Sequence, residues 1–114
     1  MVAINVRNKN YKLTIMNINE ITNRVKELSK ESSGKIESKI KFKLTDGCIF
    51  IDDTVEPTLI NNEDSEAHCT IIINNSDFVK LLDKEMDSMQ AFMSGKMKIE
   101  GEMTVAMKLS SIFG

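Results

Sequence analysis

Hydrophobic residues and lysines alternate strictly along Lys39–Leu44, and this alternation constrains the fold more than any other feature of the chain. In an extended strand, Ile40, Phe42 and Leu44 would point to one side and the three lysines to the other. A strand of this kind is buried on one face only. The sheet that contains it therefore needs a layer of other elements over its apolar face.

Three further segments are typical of strands in the same sheet. The first, Cys48–Ile51, follows Asp46-Gly47, a pair that favours a tight hairpin and so an antiparallel start to the sheet. Ala67–Ile73 and Lys96–Glu100 are the other two, and the second of these alternates cleanly. Pro57 keeps the segment after the hairpin out of the centre of a sheet, because proline cannot donate a ladder hydrogen bond.

Hydrophobic residues at three- and four-residue spacing predict helices on both sides of these strands. At the start of the first helix, Asn17 would act as the N-cap and Glu20 would complete a capping box. The predicted helices are one from Asn17 to about Lys30, one capped by Ser76, a short one over Met89–Ser94 that Ser88 caps and Gly95 closes, and one over Met103–Ile112.

Length and composition favour a single globular domain. The chain has 114 residues, of which 41% are hydrophobic and 28% charged, and a chain of this size holds one core. The order of helix, three or more strands, two helices, strand and helix indicates an α+β fold. We expect residues 18–114 to form the domain and residues 1–17 to be an N-terminal extension or an extra strand.

The charge of the chain disfavours one class of partner. The formal net charge is −2, which argues against nucleic-acid binding, because that function needs a clustered basic surface. No segment has the apolar run of a signal peptide or a membrane span, so the cytoplasm is the expected compartment. The row Lys39, Lys41 and Lys43 is typical of the solvated face of a sheet, and a weak, transient membrane contact is the alternative.

Residues that commonly carry catalysis are few. His68, the single histidine, precedes Cys69 on a predicted strand, so the two side chains leave on opposite faces. Cys48 would need His68 and an orienting third residue to act as a nucleophile. The acidic pairs Asp52-Asp53 and Glu63-Asp64 lie beside turns, where a solvated face is expected. The sequence therefore predicts no enzyme, no metal site and no cofactor, and two reduced, structural cysteines.

Methionine is the outlier of the composition. The chain has eight methionines, and a flexible, polarisable wall of methionine can repack around apolar ligands of differing shape. Methionine also fills gaps in ordinary cores, so the composition alone leaves both interpretations open. Six of the eight lie in the last third of the chain: Met86, Met89, Met93, Met97, Met103 and Met107.

The segment Ala91–Leu109 resembles the end of the sterol carrier protein-2 family. That family has an Ala-Phe-aromatic-x-Gly-Lys turn, an alternating strand, a Gly-x-Met step and a helix with Ala-Met-Lys-Leu. Ala67–Ile71 is similar to the family's Ala-Asp-Cys-Thr-Ile strand, and Ser76–Phe78 to the start of its next helix. Two positions depart from the pattern, because Met93 replaces a common aromatic residue and Thr104 replaces a glycine.

The resemblance implies a five-stranded, mainly antiparallel sheet covered on one face by helices, with a lipid-binding tunnel between them. It implies a non-enzymatic lipid-binding or lipid-transport protein that holds a fatty acid, a fatty acyl-CoA or a sterol-like ligand. We expect the chain to be a monomer or a weak dimer. A structural or protein-interaction module of the same fold is the alternative. The residues expected to line the tunnel are Ile71, Ile73, Phe78, Leu82, Met86, Phe92, Met93, Met103, Ala106, Met107 and Phe113.

Overall fold

The computed structural model describes residues 17–109, and the predictions made for residues 1–16 and 110–114 lie outside this range. Within it, no helix is long and apolar enough to cross a membrane. The helices are α1 (Ile18–Ser29), α2 (Asn75–Leu82), α3 (Ser88–Met93) and α4 (Met103–Lys108). The strands are β1 (Lys39–Leu44), β2 (Gly47–Asp52), β3 (Leu59–Asn61), β4 (Cys69–Ile73) and β5 (Met97–Gly101).

The five strands form one sheet in the order β3-β2-β1-β4-β5. Neighbouring strands are antiparallel except β1 and β4, which are parallel. Leu44 pairs with Gly47, so the predicted hairpin between β1 and β2 is confirmed. The predicted α+β fold with a five-stranded, mainly antiparallel sheet is also confirmed. β3 was not predicted, and it is a short edge strand after Pro57.

One face of the sheet carries the hydrophobic core. The register places Ile40 beside both Ile51 and Cys69, so the buried side chains of β1, β2 and β4 share this face. α1 packs against it with Ile21 and Val25 fully buried, which confirms the apolar stripe predicted for that helix. The sheet residues in the core are Ile40, Phe42, Ile49, Ile51, Cys69, Ile71, Ile73 and Met97.

The opposite face of the sheet is only partly solvated. Phe50 pairs with Lys41 on that face, yet it is buried. The Nζ atom of Lys41 lies 2.6 Å from a carboxylate oxygen of Asp64, and the Lys41 side chain is only 13% exposed. The expectation of a fully solvated lysine row is therefore wrong at Lys41. The connection from β3 at the sheet edge to β4 must pass over β2 and β1, and it places Asp64 above this lysine.

Two sets of hydrogen bonds fix the start of α1. Asn17 accepts from the N–H of Glu20 at 3.0 Å, and the Glu20 carboxylate accepts from the N–H of Asn17, so the predicted capping box is confirmed. The N–H of Ile18 donates to Asp46 in the β1–β2 loop at 3.1 Å. Asp46 also accepts from the side-chain amide of Asn75 at 2.7 Å. The hairpin loop thus joins the starts of α1 and α2 and holds α2 over the sheet.

The N-caps of α2 and α3 differ from those predicted. Asn74 caps α2 by accepting from the N–H of Asp77 at 2.7 Å, and Asp87 caps α3. The serines predicted as caps, Ser76 and Ser88, lie inside the helices. Asn and Asp are as effective as serine at an N-cap, and here each occupies the last extended position before its helix.

Asp53 anchors the connection between α1 and β1. The Asp52-Asp53 pair is buried, which corrects the expectation of a solvated acidic pair. Burial raises the pKa of Asp53, but four hydrogen bonds of 2.7–2.9 Å outweigh burial and hold the pKa below its ordinary value. The donors are the backbone N–H groups of Gly34, Ile36 and Glu37 and the hydroxyl of Thr58.

We expect Asp53→Asn to lower the free energy of unfolding by about 2–3 kcal/mol at neutral pH, because the amide nitrogen cannot accept the hydrogen bonds that a carboxylate oxygen accepts. The folded pKa of Asp53 is below the unfolded value of about 4. Its contribution to stability is therefore complete above the unfolded pKa and is lost as the pH falls through the folded pKa. Urea unfolding measured at a series of pH values checks both effects.

In that experiment the variant should lose less stability than the wild type between neutral and acidic pH. Glu66→Gln is the matched control, because Glu66 is exposed, and it should keep the wild-type pH dependence. If Asp53→Asn and the wild type lose the same stability on acidification, Asp53 does not contribute in the way described.

Candidate functional site

A cavity of about 550 Å³ lies between the apolar face of β1, β4 and β5 and the helices α2, α3 and α4. Small-molecule sites in proteins are commonly of this size. The lining has three parts with different chemistry. They are an apolar floor, a rim of methionines with one phenylalanine, and a polar loop.

The floor consists of Phe42, Ile71, Phe78 and Ile99. Phe42 of β1 and Phe78 of α2 are fully buried, and their ring centroids are 4.8 Å apart. Phe42 pairs with Ile71 and Ile71 pairs with Ile99, so a row of apolar side chains crosses three strands. None of these four side chains can form a hydrogen bond. The floor is therefore suited only to the apolar part of a ligand.

The rim consists of Met89 and Phe92 on α3 and Met103 and Met107 on α4. All four are exposed, and Met89 and Met107 keep 62% and 67% of their surface accessible. Clustered exposed apolar side chains mark a surface that binds a ligand or a partner. Both helices are six residues long, so packing against the domain, not helix propensity, holds them in place.

The polar loop, residues 84–88, follows α2 and ends at the first residue of α3. Lys84, Glu85, Asp87 and Ser88 give the cavity its polar lining. Lys84 has a φ angle of 61°, a left-handed conformation that ends α2. The Asp87 carboxylate is engaged as the N-cap of α3 and accepts from the N–H of Gln90 at 3.1 Å. One cation and two anions therefore lie together on one loop of an otherwise apolar lining.

Most residues expected to line a tunnel are brought together here, and that they contact a lipid stays a prediction. Ile73 and Leu82 are instead buried beside the cavity, and Met93 is 78% exposed outside it. Met93 follows Phe92 on α3, so its side chain points about 100° away around the helix. Phe113 lies outside the described residues. The predicted residues that line the cavity are Ile71, Phe78, Met86, Phe92, Met103, Ala106 and Met107.

The structure adds lining residues that were not predicted. The alternation in β1 places Phe42 on the apolar face, but only the order of the strands brings it beside Ile71. The sequence of the polar loop matches no known motif. Only its position between two predicted helices could have marked it as part of a site. The other added residues are Leu81, Met89, Met97, Ile99 and Leu109.

The histidine and the cysteines are not assembled into a nucleophilic pair. His68 accepts at Nδ1 from the N–H of Lys39 at 2.9 Å, which links β1 to the start of β4. Burial and the charge of Glu102 raise the pKa of the Cys69 thiol, and burial also raises that of Cys48. Such thiols stay protonated at neutral pH and react slowly. In the described part of the chain, no three acidic, histidine or cysteine side chains are grouped as metal ligands.

Comparison with known proteins agrees with this fold. Residues 18–114 match the SCP-2 sterol transfer family. Human Sterol carrier protein 2 is 33% identical over 100 residues, which cover 82% of this chain and 18% of the human protein. The chain thus spans less than a fifth of the length of this relative.

Two solved structures share the fold. The sterol carrier protein domain 2 of Helicoverpa armigera has a TM-score of 0.71 at 22% identity, covering 82% of this chain and 83% of that chain. Sterol Carrier Protein-2 from Aedes aegypti, solved in complex with palmitate, has a TM-score of 0.63 at 13% identity, covering 80% and 94%. The family match extends over most of the sequence, from the first residue of α1 onward. The chain therefore belongs to the SCP-2 sterol transfer family.

Proposed function

We propose that this chain is a lipid carrier domain that holds a fatty acid, a fatty acyl-CoA or a sterol-like ligand in the cavity. The observation that carries the proposal is the apolar floor, Phe42, Ile71, Phe78 and Ile99, beneath a rim of exposed methionines. The Aedes aegypti relative, which was solved with palmitate, supports a ligand with a long apolar chain.

Contact with the apolar lining is enough to explain useful affinity. Burying one methylene group is worth about 0.8 kcal/mol, so a C16 chain gains about 10 kcal/mol before the loss of entropy is counted. Micromolar binding needs about 8 kcal/mol. A ligand held by the floor and rim therefore needs no ion pair with the protein.

The polar end of the ligand fits best at the polar loop. Lys84 is the cation of that loop, and Glu85 and Asp87 are close to it in sequence and line the same cavity. A ligand carboxylate would be attracted by Lys84 but repelled by Glu85 and Asp87. We infer that the loop tolerates neutral and anionic head groups alike, and that the apolar chain determines affinity.

We also propose that the domain carries lipid without catalysis, in the cytoplasm. Cys48 and Cys69 are free thiols in the structure, as is usual for proteins of a reducing compartment. Their raised pKa values and the hydrogen bond at Nδ1 of His68 support a structural role for these groups.

A protein-interaction module is the second candidate. Met89, Met93 and Met107 are all largely exposed, and a methionine surface of this kind also suits a partner protein. Extraction of lipid from the purified protein, followed by mass spectrometry, separates the two candidates. Stoichiometric lipid supports the carrier. Repeated absence of lipid, with no displacement of a fluorescent fatty acid by palmitate, favours the interaction module.

We expect palmitate at about 100 times its Kd to raise the free energy of unfolding by about 2.7 kcal/mol, and so the melting temperature by about 10 °C, because only the folded protein has the cavity. Differential scanning calorimetry measures the shift. Butyrate carries the same carboxylate on a short chain and should leave the melting temperature unchanged. Equal shifts for both acids would contradict binding through the apolar floor.

A further inference from the structure

Among the described residues, the outer side of β5 is an unpaired edge of the sheet. β5 pairs with β4 on one side only, and the register places Gly101 opposite Cys69. The N–H of Glu102 donates to the carbonyl of His68 at 2.9 Å. Hydrogen bonding alternates along an antiparallel pair, so the backbone groups of Glu100 and Lys98 also face β4.

The backbone groups of Met97, Ile99 and Gly101 consequently face outward. Within residues 17–109, no hydrogen bond other than strand pairing reaches them. The rim residues of α3 and α4 line the same cavity as Met97 and Ile99, which places these two helices over the apolar face. An unpaired strand edge readily accepts another strand.

We propose that this edge pairs with the β5 edge of a second copy of the chain, antiparallel and centred on Ile99. In this register Ile99 faces Ile99 of the second copy, and Met97 faces Gly101. All the outward backbone groups then form about six hydrogen bonds. Lys98 and Glu100, both exposed, lie directly opposite Glu100 and Lys98 of the second copy.

The charges select this register over its neighbours. A shift centred on position 98 places two lysines directly opposite each other, and a shift centred on position 100 places two glutamates there. Opposite charges across an antiparallel pair stabilise it, and like charges destabilise it. The sequence Lys98-Ile99-Glu100 is therefore self-complementary in one register.

The apolar rim can enlarge the interface. The two-fold axis of such a pair is perpendicular to the sheet, so the apolar faces of both copies lie on the same side. α4 follows β5 directly and carries the exposed Met103 and Met107. A strand pair of this length buries less than the roughly 1,200–2,000 Å² of a standard interface. The dimer is consequently a weak one that forms at high protein concentration.

Sedimentation velocity on the full chain at low salt, from about 1 µM to about 1 mM, tests the proposal. The wild type should dimerise within this range. Lys98→Glu and Glu100→Lys should each weaken dimerisation by about tenfold or more, because each places like charges opposite one another twice. The double variant Lys98→Glu/Glu100→Lys should restore it.

Lys43→Glu is the matched control, because Lys43 is an exposed lysine on an inner strand and its change should leave dimerisation unaltered. Circular dichroism confirms that each variant is folded. A wild type that stays monomeric throughout the range overturns the proposal. So does a dimer whose affinity the single reversals leave unchanged, or one that the double variant fails to restore.

Discussion

Replacing Gly101 with alanine is expected to lower the free energy of unfolding by about 2–6 kcal/mol, a large part of the about 5–15 kcal/mol typical of a domain. The added methyl carbon would lie 2.3 Å from the carbonyl oxygen of His68 and 3.3 Å from the Cα atom of Cys69. Both are backbone atoms, so they cannot rotate away as a flexible side chain could. Gly101 also has a φ angle of +97°, a conformation that residues with a Cβ atom rarely adopt.

Gly95→Ala is the matched control for this prediction. Gly95 has a φ angle of +81°, but a methyl group there would meet no atom within 4 Å. Gly95→Ala should therefore lower the free energy of unfolding only by the cost of the unfavourable φ angle, about 1–3 kcal/mol. Urea unfolding of both variants measures the difference, which isolates the contact with the His68 carbonyl. Equal losses would mean that this contact adds nothing to the conformational strain.

The elements that could be predicted are those whose signals are local. The alternation of Lys39–Leu44 requires no knowledge of the rest of the chain, because successive side chains of a strand always point to opposite faces. The capping box of Asn17 and Glu20 is equally local, since its two hydrogen bonds join residues three apart. Caps were misplaced where two capping residues compete, as with Asn74 and Ser76.

The features that could not be predicted depend on contacts between distant residues. Nothing near Asp53 indicates that three backbone N–H groups, 16 to 19 residues earlier in the chain, converge on its carboxylate. The neighbours Phe42 and Ile71 are likewise joined by the parallel pairing of β1 with β4. β1 and β4 can be parallel neighbours because the connection from β3 to β4 crosses the opposite face of the sheet. The spacing of hydrophobic residues does not reveal such a crossing.

The methionines show the same limit at the candidate site. Met97 is buried, while Met89, Met93 and Met107 are exposed, although all belong to one cluster in the sequence. Whether each methionine is buried or exposed depends on the direction in which it points from α3, β5 or α4, and not on the residue type. The composition left open whether these methionines bind apolar ligands or fill an ordinary core. Only the structure separates the methionines that line the cavity from Met93, which does not line it.

Ala106→Trp is expected to weaken palmitate binding by about 50-fold while leaving the domain folded. Ala106 lies on α4, lines the cavity and is half-buried, so an indole ring there can enter the space proposed for the ligand. Displacing about three methylene groups of the lipid loses about 2.4 kcal/mol, which corresponds to about 50-fold in affinity. Titration with palmitate against a fluorescent fatty acid measures the change.

Thr104→Trp is the matched control, because Thr104 is on the same helix but exposed and away from the cavity. It should bind palmitate as the wild type does. The chain has no tryptophan, so each introduced indole is a unique fluorescent reporter of its surroundings. Emission should be shifted to shorter wavelength at position 106 and not at position 104. An indole at position 106 with apolar emission and unchanged palmitate affinity would place the lipid outside this cavity and contradict the proposed function.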